Sequence, residues 1–223
     1  MTLFKFYLNF AVFVELIIPF VPIFYGLKNW NKVSISLRLI FFFIFVEWLI
    51  HCYSFYLYNL GQNNLFLYYF HSFFSNIFIL LSFYNFFISI TEKRVIITLG
   101  ILDNTILLFD FIYFKEYKNF NFLSGGLIDL VIFLLSTYYF ATNFISVEKK
   151  NNPFYVESLL ISLTISLQFF IKMIDVFVKF FLFDTQNHSI LILQEEILYS
   201  YFMFFSILIY SYIFCKVKSY EQV

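Results

Sequence analysis

The sequence predicts an all-α fold, a polytopic membrane bundle of seven transmembrane helices with the amino terminus outside and the carboxyl terminus cytoplasmic. Three observations predict it. Hydrophobic residues make up 62% of the 223 residues against 13% charged, with mean hydropathy +0.84; soluble domains hold about 45–50% apolar and about 25% charged residues. Seven apolar stretches reach the length of about 20 residues that a spanning helix needs. Basic residues also alternate between the two sides of those stretches. With 14 basic and 14 acidic residues, nothing in the net charge steers the chain toward nucleic acid. Gly 5 and Pro 3 exclude collagen-like and low-complexity classes.

Charged side chains are costly against lipid, about 2.5–3.5 kcal/mol each at mid-membrane on insertion scales, so polar residues are expected to share one face of each helix. The first span, expected over 6–26, aligns Glu15, Pro19, Pro22 and Gly26. It lacks a small-x-small cleavage site and is followed by Lys28 and Lys32, which points to a retained helix rather than a signal peptide. The second, 35–59, aligns Glu47, His51, Ser54 and Tyr58; the third, 66–90, His71, Ser75, Ser82, Asn85 and Ser89. The fourth, 95–114, places Asp103 and Asp110 together, and the fifth, 123–146, Asp129, Ser136, Tyr139 and Asn143. The sixth, 155–183, is the most polar, with Glu157, Thr164, Gln168, Lys172, Asp175 and Lys179 in one stripe. Its Lys172–Asp175–Lys179 run is spaced for neutralisation within the helix. A second face carries Ser158, Ser162 and Ser166, the small-xxx-small spacing of a close helix contact. The seventh, 190–215, aligns Glu195, Tyr199 and Ser206, with Glu196 one step off. The breaks between spans are too short for a folded soluble domain, so residues 1–223 form one transmembrane domain.

The positive-inside rule sets the sidedness. Lys28, Lys32, Arg38, Lys93, Arg94, Lys149, Lys150, Lys216 and Lys218 fall on one side, and Lys5, Lys115 and Lys118 on the other. An even number of helices would scramble that alternation. The 38 phenylalanines alongside only two alanines, Ala11 and Ala141, read as the product of an AT-rich genome, serving packing and lipid contact. Cys52 and Cys215 fall in different helices near opposite faces, too far apart to bridge.

By this topology most ionisable residues lie in the outer half of the bundle. The expected ligand-binding set is Glu15, Glu47, His51, His71, Asp129, Gln168, Lys172, Asp175, Lys179, Glu195 and Glu196, around a polar pocket open to the outside and closing near the midplane. No metal and no cofactor is expected. The only set a metal enzyme would use is Glu47-x-x-x-His51 with His71 and Glu195 or Glu196, and ligand types without converging geometry make no site. The last span reads Gln194-Glu195-Glu196-Ile197-Leu198-Tyr199, without the histidine pair of seven-helix zinc hydrolases and without the mid-span lysine of a retinal protein. Gly-x-Ser-x-Gly is absent, Gly125-Gly126 has no phosphate-loop continuation, and no internal repeat of a transporter type is visible.

Phe13-Val14-Glu15-Leu16-Ile17-Ile18-Pro19 and Phe70-His71-Ser72-Phe73-Phe74-Ser75-Asn76, with the outside amino terminus, resemble the uncharacterised small seven-helix inner-membrane proteins of AT-rich bacterial genomes. The layout is similar to the seven-helix sensory regions fused to some histidine kinases. The resemblance implies the bacterial inner membrane and a sensing role, with a separate membrane or cytoplasmic partner because no kinase follows the seventh span. A sensor or regulatory subunit is therefore the first functional expectation. A small-solute or proton-coupled transporter or channel is the second, and an intramembrane metal enzyme the third. The bilayer is the expected partner, a homo-oligomer is compatible with the sequence, and nucleic acid is not expected.

Overall fold

The computed structural model describes residue 10 and residues 12–64, 66–113, 122–145, 155–182 and 188–216; the side chains at 113, 122, 123, 175–182 and 188–198 fall outside that description. Among the described residues the fold is all-α. A helical turn at 12–16 leads into α1 (Phe20–Lys28) and a 3₁₀ turn (Trp30–Lys32). Then follow α2 (Ile35–Asn59), α3 (Leu67–Phe86), α4 (Ile90–Tyr113), α5 (Phe122–Ile145), α6 (Tyr155–Leu182) and α7 (His188–Lys216). Among the described residues, four stretches are long and apolar enough to cross a membrane: Ile35–Asn59, Ile90–Ile112, Ser124–Ile145 and Tyr155–Ile174. Because α1 has nine residues, it is too short to span alone.

The first expected span is broken by its prolines. Pro19 has no N–H to donate to the Glu15 carbonyl, so the helix cannot continue through it. The chain turns at 17–19, with Phe20 N–H bonding to Ile17 O at 3.2 Å. That leaves the Leu16 carbonyl free of its helical partner, and Trp48 on α2 donates its indole N–H to it at 2.9 Å. A freed backbone carbonyl in an apolar setting needs such a donor. Ser34 caps α2, accepting from Leu37 N–H. The other end of α2 closes on Gly61 at φ 65°, with Gln62 N–H bonded to Leu57 O and Gly61 N–H to Tyr58 O; that pairing requires a left-handed residue, which glycine supplies without a Cβ clash.

The third and fourth elements differ from the expected spans. The polar run Thr91-Glu92-Lys93-Arg94 is not a break but the first turn of α4, and the chain breaks at 87–89 instead. Hydropathy reports immersion in lipid, whereas Glu, Lys and Arg are good helix formers. Phe87 is extended and buried against Phe83 and Tyr139.

The helices α1, α2, α3, α5, α6 and α7 pack in a closed ring, each against the next and α7 back on α1; α4 lies outside it, against α3 and α5. Accordingly 17% of the apolar window of α4 is buried, against 50% for α6. Three hydrogen bonds fix the α2–α3 pair: Ser82 Oγ to Ser36 O, His71 to Glu47, and Asn64 to Ser54. The paired numbers add to the same total in all three, as an antiparallel hairpin without slippage requires. The Ser face of α6 meets α5, where Tyr139 donates to Ser158 at 3.1 Å and Thr137 bonds Ser166 at 2.6 Å. Cys52 and Cys215 are both free.

Candidate functional site

Inside the ring, one carboxylate draws three helices together. Glu47 stands midway along α2 and is 5% exposed. Its Oε1 accepts from Lys172 Nζ of α6 at 2.9 Å and from Gln168 Nε2, one turn earlier on α6, at 3.3 Å. His71 Nε2 of α3 lies 3.1 Å from the same oxygen and 3.2 Å from Lys172 Nζ. The side chain of Lys172, 11% exposed, also lies over the rings of Phe169 at 4.8 Å and Tyr199 at 5.9 Å. A buried ammonium needs this degree of compensation. Glu47, buried and within hydrogen-bond distance, is an interhelical counter-charge of Lys172; Asp175, to which the i,i+3 spacing pointed, lies outside the residues whose side chains are described.

His71 Nε2 carries either a hydrogen or a lone pair. With the lone pair it accepts from Lys172; with the hydrogen it donates to Glu47. The two arrangements exclude each other, so the Glu47–His71–Lys172 triangle has two hydrogen-bonding states.

A second acid–imidazole pair sits at the wetter edge. The proline break carries Glu15 to within 3.4 Å of His51 Nδ1, with side-chain exposures of 28% and 24%. The His51 and His71 rings, 6.4 Å apart between centroids, link this pair to the triangle. Between them lies a cavity of about 20 Å³ bordered by Glu15, Glu47, His51, Gln168, Ser206 and Tyr210, room for one water. Among the described residues, three buried polar atoms of its lining have no hydrogen-bond partner: His51 Nε2, Gln168 Oε1 and Tyr210 Oη. Buried polar atoms are nearly always satisfied, so these three mark a place for something polar.

One turn beyond Glu47 the interior becomes mainly apolar, although Thr164 and Ser75 are buried at that level too, the Thr164 hydroxyl being spent on Leu160 O. Phe43 faces Phe169 at 6.4 Å, and Ile40, Ile79, Ile161 and Ile165 are fully buried in the same core. The polar group thus has an apolar floor.

Of the expected ligand-binding residues, the structure joins Glu47, His71, Gln168 and Lys172 directly and sets Glu15 with His51 beside them. Asp129 is buried on α5 and is engaged there. Asp175, Lys179, Glu195 and Glu196 lie outside the residues whose side chains are described. Among the described residues no group of three His, Cys, Asp or Glu side chains is arranged to hold a metal, and the Lys172 ammonium lies within 3.2 Å of both Glu47 and His71. The sequence reading passed over Trp48 and Tyr210. Tyr210 follows Ser206 by four residues, so it continues the polar stripe of α7.

A further set of unpartnered buried atoms, among the described residues, comes from Asn76 of α3 and Asp103 and Asn104 of α4. No known protein family, curated protein or solved structure matches the chain.

Proposed function

We propose that this chain is a seven-span, multi-pass protein of the bacterial inner membrane, amino terminus outside, that senses a small polar ligand and passes the change to a separate partner. The observation that carries the reading is the Glu47–His71–Lys172 triangle above an apolar floor, with three unspent polar atoms facing the cavity beside it. An odd number of crossings is supported by α1 and α7 running in parallel: Phe10 meets Tyr201 at one end and Asn29 donates to Phe214 O at the other. The short α1 and the more polar α3 pack within the same ring, as does α7.

Gln168 is the most constrained group. Its Nε2 is committed to Glu47 and to Met203 Sδ, and its Oε1 can only accept. The fitting ligand therefore brings a hydrogen-bond donor. Any ligand larger than water must part Glu15 from His51, and a donor that reaches Glu47 competes with Lys172. Loosening that pair frees α6 from α2 and α3, the differential contact that a two-state sensor requires. The apolar floor favours this reading over a transporter or channel, whose path would have to cross it.

The test uses full-length protein in detergent and in proteoliposomes. Small amines, amides, alcohols and carboxylic acids at millimolar concentration are screened for a rise in melting temperature. One donor-bearing class should stabilise the protein, Gln168→Leu should abolish the effect, and proteoliposomes should show no flux of that compound or of protons. Stabilisation by none of the classes, or protein-dependent flux, refutes the sensor.

A further inference from the structure

The groove between α3 and α4 lies on the opposite side of α3 from the ring interior and takes no part in the polar site. It has a volume of about 340 Å³ and is bordered by Phe73, Leu80, Tyr84, Ile97, Gly100 and Asn104, among others. That is more than twice the roughly 150 Å³ that admits benzene in an engineered cavity. Leu80 opposite Gly100 and Tyr69 opposite Phe111 set the register of the two helices, and Gly100 opens the groove because a Cβ there would press on Leu80.

The groove has a charged end. Tyr84, at its mouth, carries Lys93 Nζ over its ring at 5.0 Å, and Arg94 beside it is exposed. Glu92, the acid of the same turn, is held by the hydroxyl of Tyr138 on α5. From Lys93 to Asn104 is eleven residues, about 16 Å at 1.5 Å per residue, which is half the hydrocarbon thickness of about 30 Å. A cationic pair, then an apolar channel one leaflet deep, matches one molecule: we infer that this groove holds an acyl chain of an anionic phospholipid whose phosphate is bound by Lys93 and Arg94. A second protein helix fits worse. The outward residues of α4, among them Ile97, Ile101, Leu108 and Phe109, are bulky, and close helix packing in lipid favours small ones.

Asn104 supplies the discriminating control. Its Nδ2 is turned back on Gly100 O at 2.7 Å, and its Oδ1 has no partner among the described residues. A lipid with a hydroxyl along its chain, at the depth of Asn104, would use that oxygen; a plain acyl chain would not.

The experiment is native mass spectrometry of the full-length protein with equimolar phosphatidylglycerol and phosphatidylcholine. Phosphatidylglycerol should be retained preferentially. Neutralising one cation near the membrane surface costs about fivefold in affinity, so K93Q/R94Q should lower retention by about 25-fold. Ile97→Trp, which fills the groove, should abolish it with helicity unchanged by circular dichroism; Ile101→Trp replaces it should helicity fall. Asn104→Leu should retain the lipid. Equal retention of both lipids, retention by both the charge and the groove-filling variants, loss on Asn104→Leu, or full displacement by inorganic phosphate would each overturn the assignment.

Discussion

Exchanging Glu47 for Leu is expected to be among the most destabilising changes in the protein, and exchanging Lys172 as well is expected to repair most of the damage. Glu47 accepts from Lys172 and Gln168 at a single oxygen, with His71 Nε2 at 3.1 Å from it, and both members of the ion pair are largely buried, at 6% and 11% side-chain exposure. Glu47→Leu leaves a buried ammonium without its counter-charge, a loss of about 3–5 kcal/mol; Lys172→Met leaves a buried carboxylate and costs about the same. In the double variant no charge remains, and the residual penalty is the lost acceptor of His71 and Gln168, about 1–3 kcal/mol. Gln168 still has Met203 Sδ at 3.3 Å. The coupling energy should therefore exceed about 3 kcal/mol, where independent sites add within about 0.5 kcal/mol. The assay is reversible unfolding in mixed micelles titrated with sodium dodecyl sulfate, followed by circular dichroism. A double variant that costs the sum of the two single ones would refute the pairing. Asp175→Asn should cost clearly less than Glu47→Leu; an equal cost would restore the in-helix ladder as the neutraliser of Lys172.

Gly26→Ala should destabilise by about 1–3 kcal/mol, the usual cost of overpacking, because a methyl at Gly26 would overlap the Phe41 ring. That ring is itself fixed by Trp30 and Phe214, and unchanged unfolding of the variant would show that α1 can shift. Tyr139→Phe removes the bond to Ser158 and should cost about 0.6 kcal/mol, the average for an interhelical bond in membranes; a loss above 2 kcal/mol would mean that the hydroxyl has a further role. Cysteines introduced at Lys118 and Asn187 should react with an impermeant maleimide on intact cells while those at Lys93 and Lys150 stay protected, and the reverse labelling pattern overturns the sidedness.

The sequence by itself determined the all-α class, the bounds of α2 and the inward faces of the helices. α2 begins and ends where its apolar stretch does, and Glu47, Ser75, Asp103, Ser136, Gln168 and Ser206 are all buried. The reason is that lipid immersion excludes polar side chains from the outer face, so helical periodicity alone reveals the inner one. It also put Glu47, His51 and His71 in one group. Tyr58 and Asn85 fell on the same stripes yet are exposed, because they lie near helix ends, where the periodicity no longer reports contact with a neighbour. Tertiary structure decided the rest. The proline break that aims Glu15 at His51, the ring order that leaves α4 outside, and the pairing of Glu47 with Lys172 each depend on which helices are neighbours. Periodicity states which side of a helix faces inward; it carries no information on what stands opposite. An ion pair is chosen by distance in space, and Glu47 and Lys172, 125 residues apart in the chain, come within 2.9 Å only when α2 and α6 close the ring around them.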